Sequence, residues 1–136
     1  MPDLQKHLQI FLRQTISVFD AGQESFYQGL MLGLYAIMNN LYKVSSNRES
    51  GDGRYDIQML PLNKHMPGIL IELKVLHDGA SAGAVPSKLK ELSHIALEQI
   101  NEKNYAQLMQ EEGITQIMKL GIAFYKKQAE ISYSMD

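Results

Sequence analysis

The stretch "GRYDIQMLPLNKHMPGILIELK", residues 53–74, decides how this chain is read. Its second half is a nearly unbroken apolar run, the signature of a strand buried on both faces. Yet Glu72 and Lys74 stand in that run two residues apart, and alternate residues of a strand share a face. Burying a carboxylate and an ammonium costs several kcal/mol unless something pairs with them. The first half of the stretch supplies a partner. A symmetric antiparallel hairpin folded about Lys64 brings Asp56 opposite Glu72, with Cβ atoms about 5 Å apart.

Two carboxylates so placed repel unless a cation lies between them. Oxygen ligands of this type suit Mg²⁺ or Mn²⁺, which bind through one or two carboxylates and keep several waters. A lysine beside such an ion can position or deprotonate the attacking water, or stabilise developing negative charge. On spacing alone, an Asp56–Lys74 or Glu72–Lys74 salt bridge at a sheet surface accounts for the pattern equally well.

Outward from the hairpin, the periodicities predict α-α-β-β-β-α-β-β. Residues 3–19 place Leu4, Leu8, Phe11, Leu12, Thr15 and Phe19 at helical spacing. Residues 23–40 are apolar nearly all round, which predicts a buried helix, with Gly29 and Gly33 set for close packing against a sheet. Residues 41–47 alternate as a strand, and "ESGDGR" (49–54) is turn chemistry. Strands are expected at 54–60 and 68–76, a loop at 77–86, and a helix at 87–103. Ser87 is the expected N-cap of that helix, and Leu89, Leu92, Ile95, Ala96 and Ile100 its apolar stripe. A turn is expected near Glu112-Gly113, then a strand at 116–126 and an edge strand at 129–134. The predicted fold is a single α/β domain, residues 1–136, with a mixed sheet.

Composition narrows the function classes. With 136 residues, 45% of them apolar, the chain has enough material for one proper core. The absence of cysteine excludes disulfides and thiolate metal sites. His7, His65, His77 and His94 lack zinc-site spacing. A net charge of -2 excludes a strongly basic nucleic-acid binder, although Lys88, Lys90 and Lys126-Lys127 remain candidates for a local basic patch. No stretch has the length of a transmembrane helix and the first residues do not read as a signal peptide, so a cytoplasmic protein is expected.

These residues together resemble the PD-(D/E)XK nuclease superfamily, in which an acidic residue on one strand and (D/E)-x-K on the next hold the metal. Asp56 and Glu72-Leu73-Lys74 fit that pattern. More narrowly, the chain looks like the nuclease-like domain found C-terminal to predicted AAA-type ATPases in bacteria. The stretches that carry this likeness are "ESFYQGLMLGLY" (24–35), "ESGDGRYDI" (49–57), "GILIELK" (68–74), "ALEQINEKNY" (96–105) and "KLGIAFYKK" (119–127).

The resemblance implies a restriction-endonuclease-like αβββαβ core, a mixed central sheet flanked by helices, here with an extra N-terminal helix. It implies metal-dependent phosphodiester hydrolysis on nucleic acid, DNA in the first instance, with Mg²⁺ or Mn²⁺ at Asp56 and Glu72. Lys74 corresponds to the catalytic lysine, Glu24 to an acidic residue on the helix before the sheet, and Gln99 and Tyr105 to a motif on the helix after the lysine strand. Two departures stand out: Gln28 occupies a position where a histidine is expected, and no G-x-x-x-x-G-K-[ST] loop is present. An ATPase domain or protein, in cis or in trans, is the partner the likeness implies; a homodimer paired through the 129–134 edge belongs to a further reading, a purely structural dimeric domain. The alternative is a catalytically weak or inactive module that keeps the fold for nucleic-acid or protein interaction.

Overall fold

The computed structural model describes residues 6–12, 14, 23–49, 54–76, 83–102, 105–125 and 128–136. Residues 6–12 form a first helix, α1. Then follow α2 (Gln23–Met38), β1 (Tyr42–Glu49), β2 (Arg54–Pro61), β3 (Gly68–Val75), α3 (Val85–Glu102), α4 (Tyr105–Glu111), β4 (Ile117–Tyr125) and β5 (Gln128–Met135). The five strands lie in sequence order in one sheet. All neighbouring pairs are antiparallel except β3–β4. That parallel pair is joined through α3 and α4, as parallel strands require a crossover.

Alternation along the strands sorts side chains between two cores. Ile57 and Met59 of β2, Ile69, Ile71 and Leu73 of β3, and Met118, Leu120 and Ile122 of β4 pack with Leu8, Leu12, Leu30 and Leu34 of α1 and α2. The intervening residues face the other way. Leu70 and Ile117 pack with Ile100 of α3 and Met109 of α4, and Ala123 packs with Val85 and Leu89. Helices therefore cover both faces, and the apolar runs of β3 and β4 are explained by burial on both sides.

The α3 backbone lies unusually close to the sheet. A Cβ on Gly121 would stand 2.3 Å from the Ser93 carbonyl oxygen and 2.4 Å from the Leu97 nitrogen. Only glycine admits that approach. Ser93 sits in the contact, where its hydroxyl bonds to Lys90 O at 2.7 Å and to Ser132 Oγ at 2.7 Å.

Several local expectations are corrected. Helix α3 begins at Val85, so Ser87 lies inside its first turn rather than at the N-cap; Ala84 O accepts from Lys88 N instead. Ile95 is exposed, and Ser93 takes a place in the buried stripe. Among the described side chains of α2, Leu30, Leu34 and Met38 are buried, but Leu32 is 73% exposed, and Tyr35 and Ile37 are exposed as well, so the helix is not buried all round. Gly33 makes its close approach to the Phe11 ring of α1, which lies 2.7 Å from where a Cβ would stand, and not to the sheet.

Helix α4 is an element the periodicity did not announce. Its end is the turn expected at Glu112-Gly113. Gly113 has φ of 95°, Gly113 N donates to Gln110 O, and Ile114 N donates to Met109 O. These are the paired bonds of a Schellman cap with glycine at C′. Among the described residues, no helix is long and apolar enough to cross a membrane.

Candidate functional site

The β2–β3 register sets Asp56 opposite Glu72. Because Leu70 faces α3 and α4, strand alternation puts Glu72 and Lys74 on that same face. Asp56 shares it, since its neighbours Ile57 and Met59 point to the α1–α2 side. The strand that carries Glu72 is the central one of five. Glu72 is 0% exposed and Asp56 5%, while Lys74 is half-buried.

Carboxylates on direct ladder partners, with Cβ atoms about 5 Å apart, repel each other when both are ionised. The ammonium of Lys74, on the same face, offsets part of that. A divalent cation between the two carboxylates offsets more. Both are hard oxygen donors, the chemistry that suits Mg²⁺ or Mn²⁺. Among the described residues, no group of three His, Cys, Asp or Glu side chains gathers to hold a metal.

Helix α3 roofs this face. Gly121, over which α3 rests, is the direct partner of Glu72 on β4. Two residues past Leu97, the Gln99 side-chain oxygen is buried and has no hydrogen-bond partner among the described residues. A buried acceptor left in this way is costly, and a bound water or substrate group would satisfy it. Tyr105 begins α4 and is half-buried against Leu70, Met109 and Ile117. Glu24 belongs to α2 by backbone, but its side chain lies outside the described residues, as does that of Gln28.

One cation on this face escaped the sequence reading. Lys119 is buried, two residues before Gly121 on β4. Its ammonium donates to Asn101 Oδ1 at 2.7 Å and forms an ion pair with Asp136. It therefore ties the end of α3 to the last strand. The signal was an isolated lysine inside an otherwise apolar strand, the same signal that drew attention to Lys74. Lys88 and Lys90 are exposed surface residues, and Lys126-Lys127 lie outside the described residues.

A family model of the PD-(D/E)XK nuclease superfamily matches residues 22–133. No curated protein and no solved structure matches the chain. The mixed five-stranded sheet with helices on both faces is an α/β fold of the restriction-endonuclease-like kind that this family has.

Proposed function

We propose that this chain, which belongs to the PD-(D/E)XK nuclease superfamily, hydrolyses phosphodiester bonds in DNA with the help of a divalent metal ion. The observation that carries the reading is Asp56 set directly opposite a fully buried Glu72. Asp56 and Glu72 would hold Mg²⁺ or Mn²⁺, which when bound lowers the pKa of a water and stabilises charge on a phosphoryl oxygen.

The remaining roles belong to the chain's own groups. Lys74 stands next along the Glu72 face and holds the attacking water or meets the charge that grows on the phosphate. Gln99 has a buried amide oxygen with capacity to accept from that water. Glu24 acts as an auxiliary acid from α2. A reducing, cytoplasmic setting fits a chain without cysteine.

The test is cleavage of linear and circular DNA with Mn²⁺ or Mg²⁺ against Glu72→Gln and Lys74→Ala. Activity in the parent that both variants lose supports the reading. Absence of metal-dependent cleavage by the parent on any DNA form removes it.

A second reading, a module that binds a partner with little or no turnover, is favoured by one feature. Leu32 and Tyr35, three residues apart and so neighbours on one face of α2, are both exposed, and adjoining exposed apolar side chains are what an interaction surface presents. An ATPase, in cis or in trans, or a second copy of the chain is the partner class proposed for it. Replacing Leu32 and Tyr35 by lysine would abolish such an association and leave cleavage unaltered.

A further inference from the structure

The sheet face that bears Asp56 does not end there. It continues through Gln58 and Leu60 on β2, whose direct partners on β1 are Ser45 and Lys43. Each step of two residues advances about 6.8 Å along a strand. At this end, α4 stands over the sheet. Lys43, Ser45 and Gln58 line one side of a groove of about 200 Å³, and Tyr105, Leu108 and Glu112 line the other. Its floor is apolar, formed by Leu60 and the buried Met109, while Lys43 and Glu112 at its rims are exposed.

The dimensions and chemistry of the groove select an occupant. Drug-sized ligand pockets measure about 300–1,000 Å³, so this one takes a single flat group. An aromatic wall over an apolar floor suits a nucleobase, and a cation on one rim suits a phosphate. Glu112 on the opposite rim repels a phosphate and so directs it to the Lys43 side. A base paired and stacked in a duplex cannot enter without being flipped out. Duplex binding also rests on many phosphate contacts, for which a chain of net charge -2 is poorly equipped.

We propose that this groove seats one nucleotide of a single-stranded nucleic acid, with its base against Tyr105 and its phosphate at Lys43, adjacent to the bond cut at Asp56 and Glu72. The inference rests on the nuclease reading for its substrate class and names the strand form that the site accepts. Stacking of bases on aromatic side chains, beside cations that hold the backbone phosphates, is how proteins bind single strands.

The experiment is fluorescence anisotropy of the full chain with a labelled single-stranded oligonucleotide and the matching duplex, in EDTA, over a series of salt concentrations. Cleavage of the same strands is followed with Mn²⁺. The parent should bind the single strand at least about tenfold more tightly than the duplex. Tyr105→Leu should weaken single-strand binding by about tenfold, within the range for one stacked base. Lys43→Ala should lower the slope of log affinity against log salt by about 0.7, the value for one phosphate contact on a single strand. A merely structural role would not move that slope.

Equal affinity for duplex and single strand, or unchanged affinity and slope in both variants, overturns the proposal. Should Tyr105→Leu fail to fold, Lys43→Ala and Lys43→Glu decide the matter, because Lys43 is exposed. The two readings fail separately. Cleavage that needs Glu72 but ignores Tyr105 and Lys43 sinks the groove and keeps the nuclease. Binding that needs Tyr105 and Lys43, in a parent that never cleaves, sinks the nuclease and keeps the groove.

Discussion

Asp56 and Glu72 are direct partners in the β2–β3 ladder, on the face roofed by α3. Two acids in that relationship are a liability in a protein without a ligand and an asset in one that binds a cation. If a cation binds between them, mutual repulsion gives way to shared attraction, and this makes the proposed site testable without any assay of turnover.

Glu72→Gln should abolish nuclease activity while leaving the metal-free protein as stable as the parent, or more so. Removing one of two adjacent acids relieves like-charge repulsion, and the amide has nearly the same shape. Thermal unfolding in EDTA checks it. A clear fall in melting temperature would mean that Glu72 serves mainly as the partner of Lys74 in a salt bridge.

Mn²⁺ should raise the melting temperature of the parent by several degrees. An ion bound only by the native state stabilises by RT ln(1 + [L]/Kd), about 2.7 kcal/mol at 100 times Kd, and a domain of this size responds by a few degrees per kcal/mol. Mn²⁺ should act at lower concentration than Mg²⁺. Asp56→Asn should remove the shift, and Glu111→Gln, at an exposed position on α4, should retain it. A parent melting curve that millimolar Mn²⁺ leaves in place would end the metal-site proposal.

Tyr42 should make the fold sensitive to alkali. Its hydroxyl donates to Pro67 O at 2.7 Å, and burial pushes its pKa from 10.0 to about 12. A folded value above the unfolded one gives a contribution complete below pH 10 and lost as pH rises from 10 through about 12. Tyr42→Phe should cost roughly 1–3 kcal/mol at neutral pH, because the buried Pro67 carbonyl loses its donor. The variant should then lose less stability than the parent between those pH values. Urea unfolding at pH 8 and pH 11 measures both effects, and parallel losses in the two proteins would contradict the assignment.

Gly121→Ala should destabilise by more than about 2 kcal/mol, at the upper end of overpacking effects. The added methyl meets the backbone of α3 at Ser93 and Leu97, which cannot turn aside as a side chain tip can. Gly83→Ala is the control, since a Cβ there has nothing within 4 Å. Equal melting temperatures for the two variants would show that α3 shifts freely over β4.

The sequence by itself determined the hairpin and which residues share each of its faces; the pairing of Asp56 with Glu72 rested on assuming a symmetric turn about Lys64, and the structure supplies that register. Strand alternation has a period of two, so a slip of one residue would have moved Ile57, Met59, Ile69 and Ile71 out of the core. The apolar demand thus fixed Asp56 and Glu72 on one face. It also determined the doubly buried strands, read from unbroken apolar runs, and the glycine turn after α4, because that stop needs φ near 95° at Gly113. The outcomes it could not determine depend on partners far away in the chain. Apolarity around α2 does not say which side meets the sheet, and Leu32, Tyr35 and Ile37 were left outside. Ser87 has the chemistry of a cap, but packing of Val85 under the sheet drew the helix start two residues earlier. Lys119 acquired its partners, Asn101 and Asp136, only when α3 and the end of β5 converged on it. The groove beside Asp56 exists only because α4, a helix of seven residues, is held over β1 and β2. A segment so short is not stable alone in water, so tertiary packing, and not local periodicity, decided that it is a helix and where it lies.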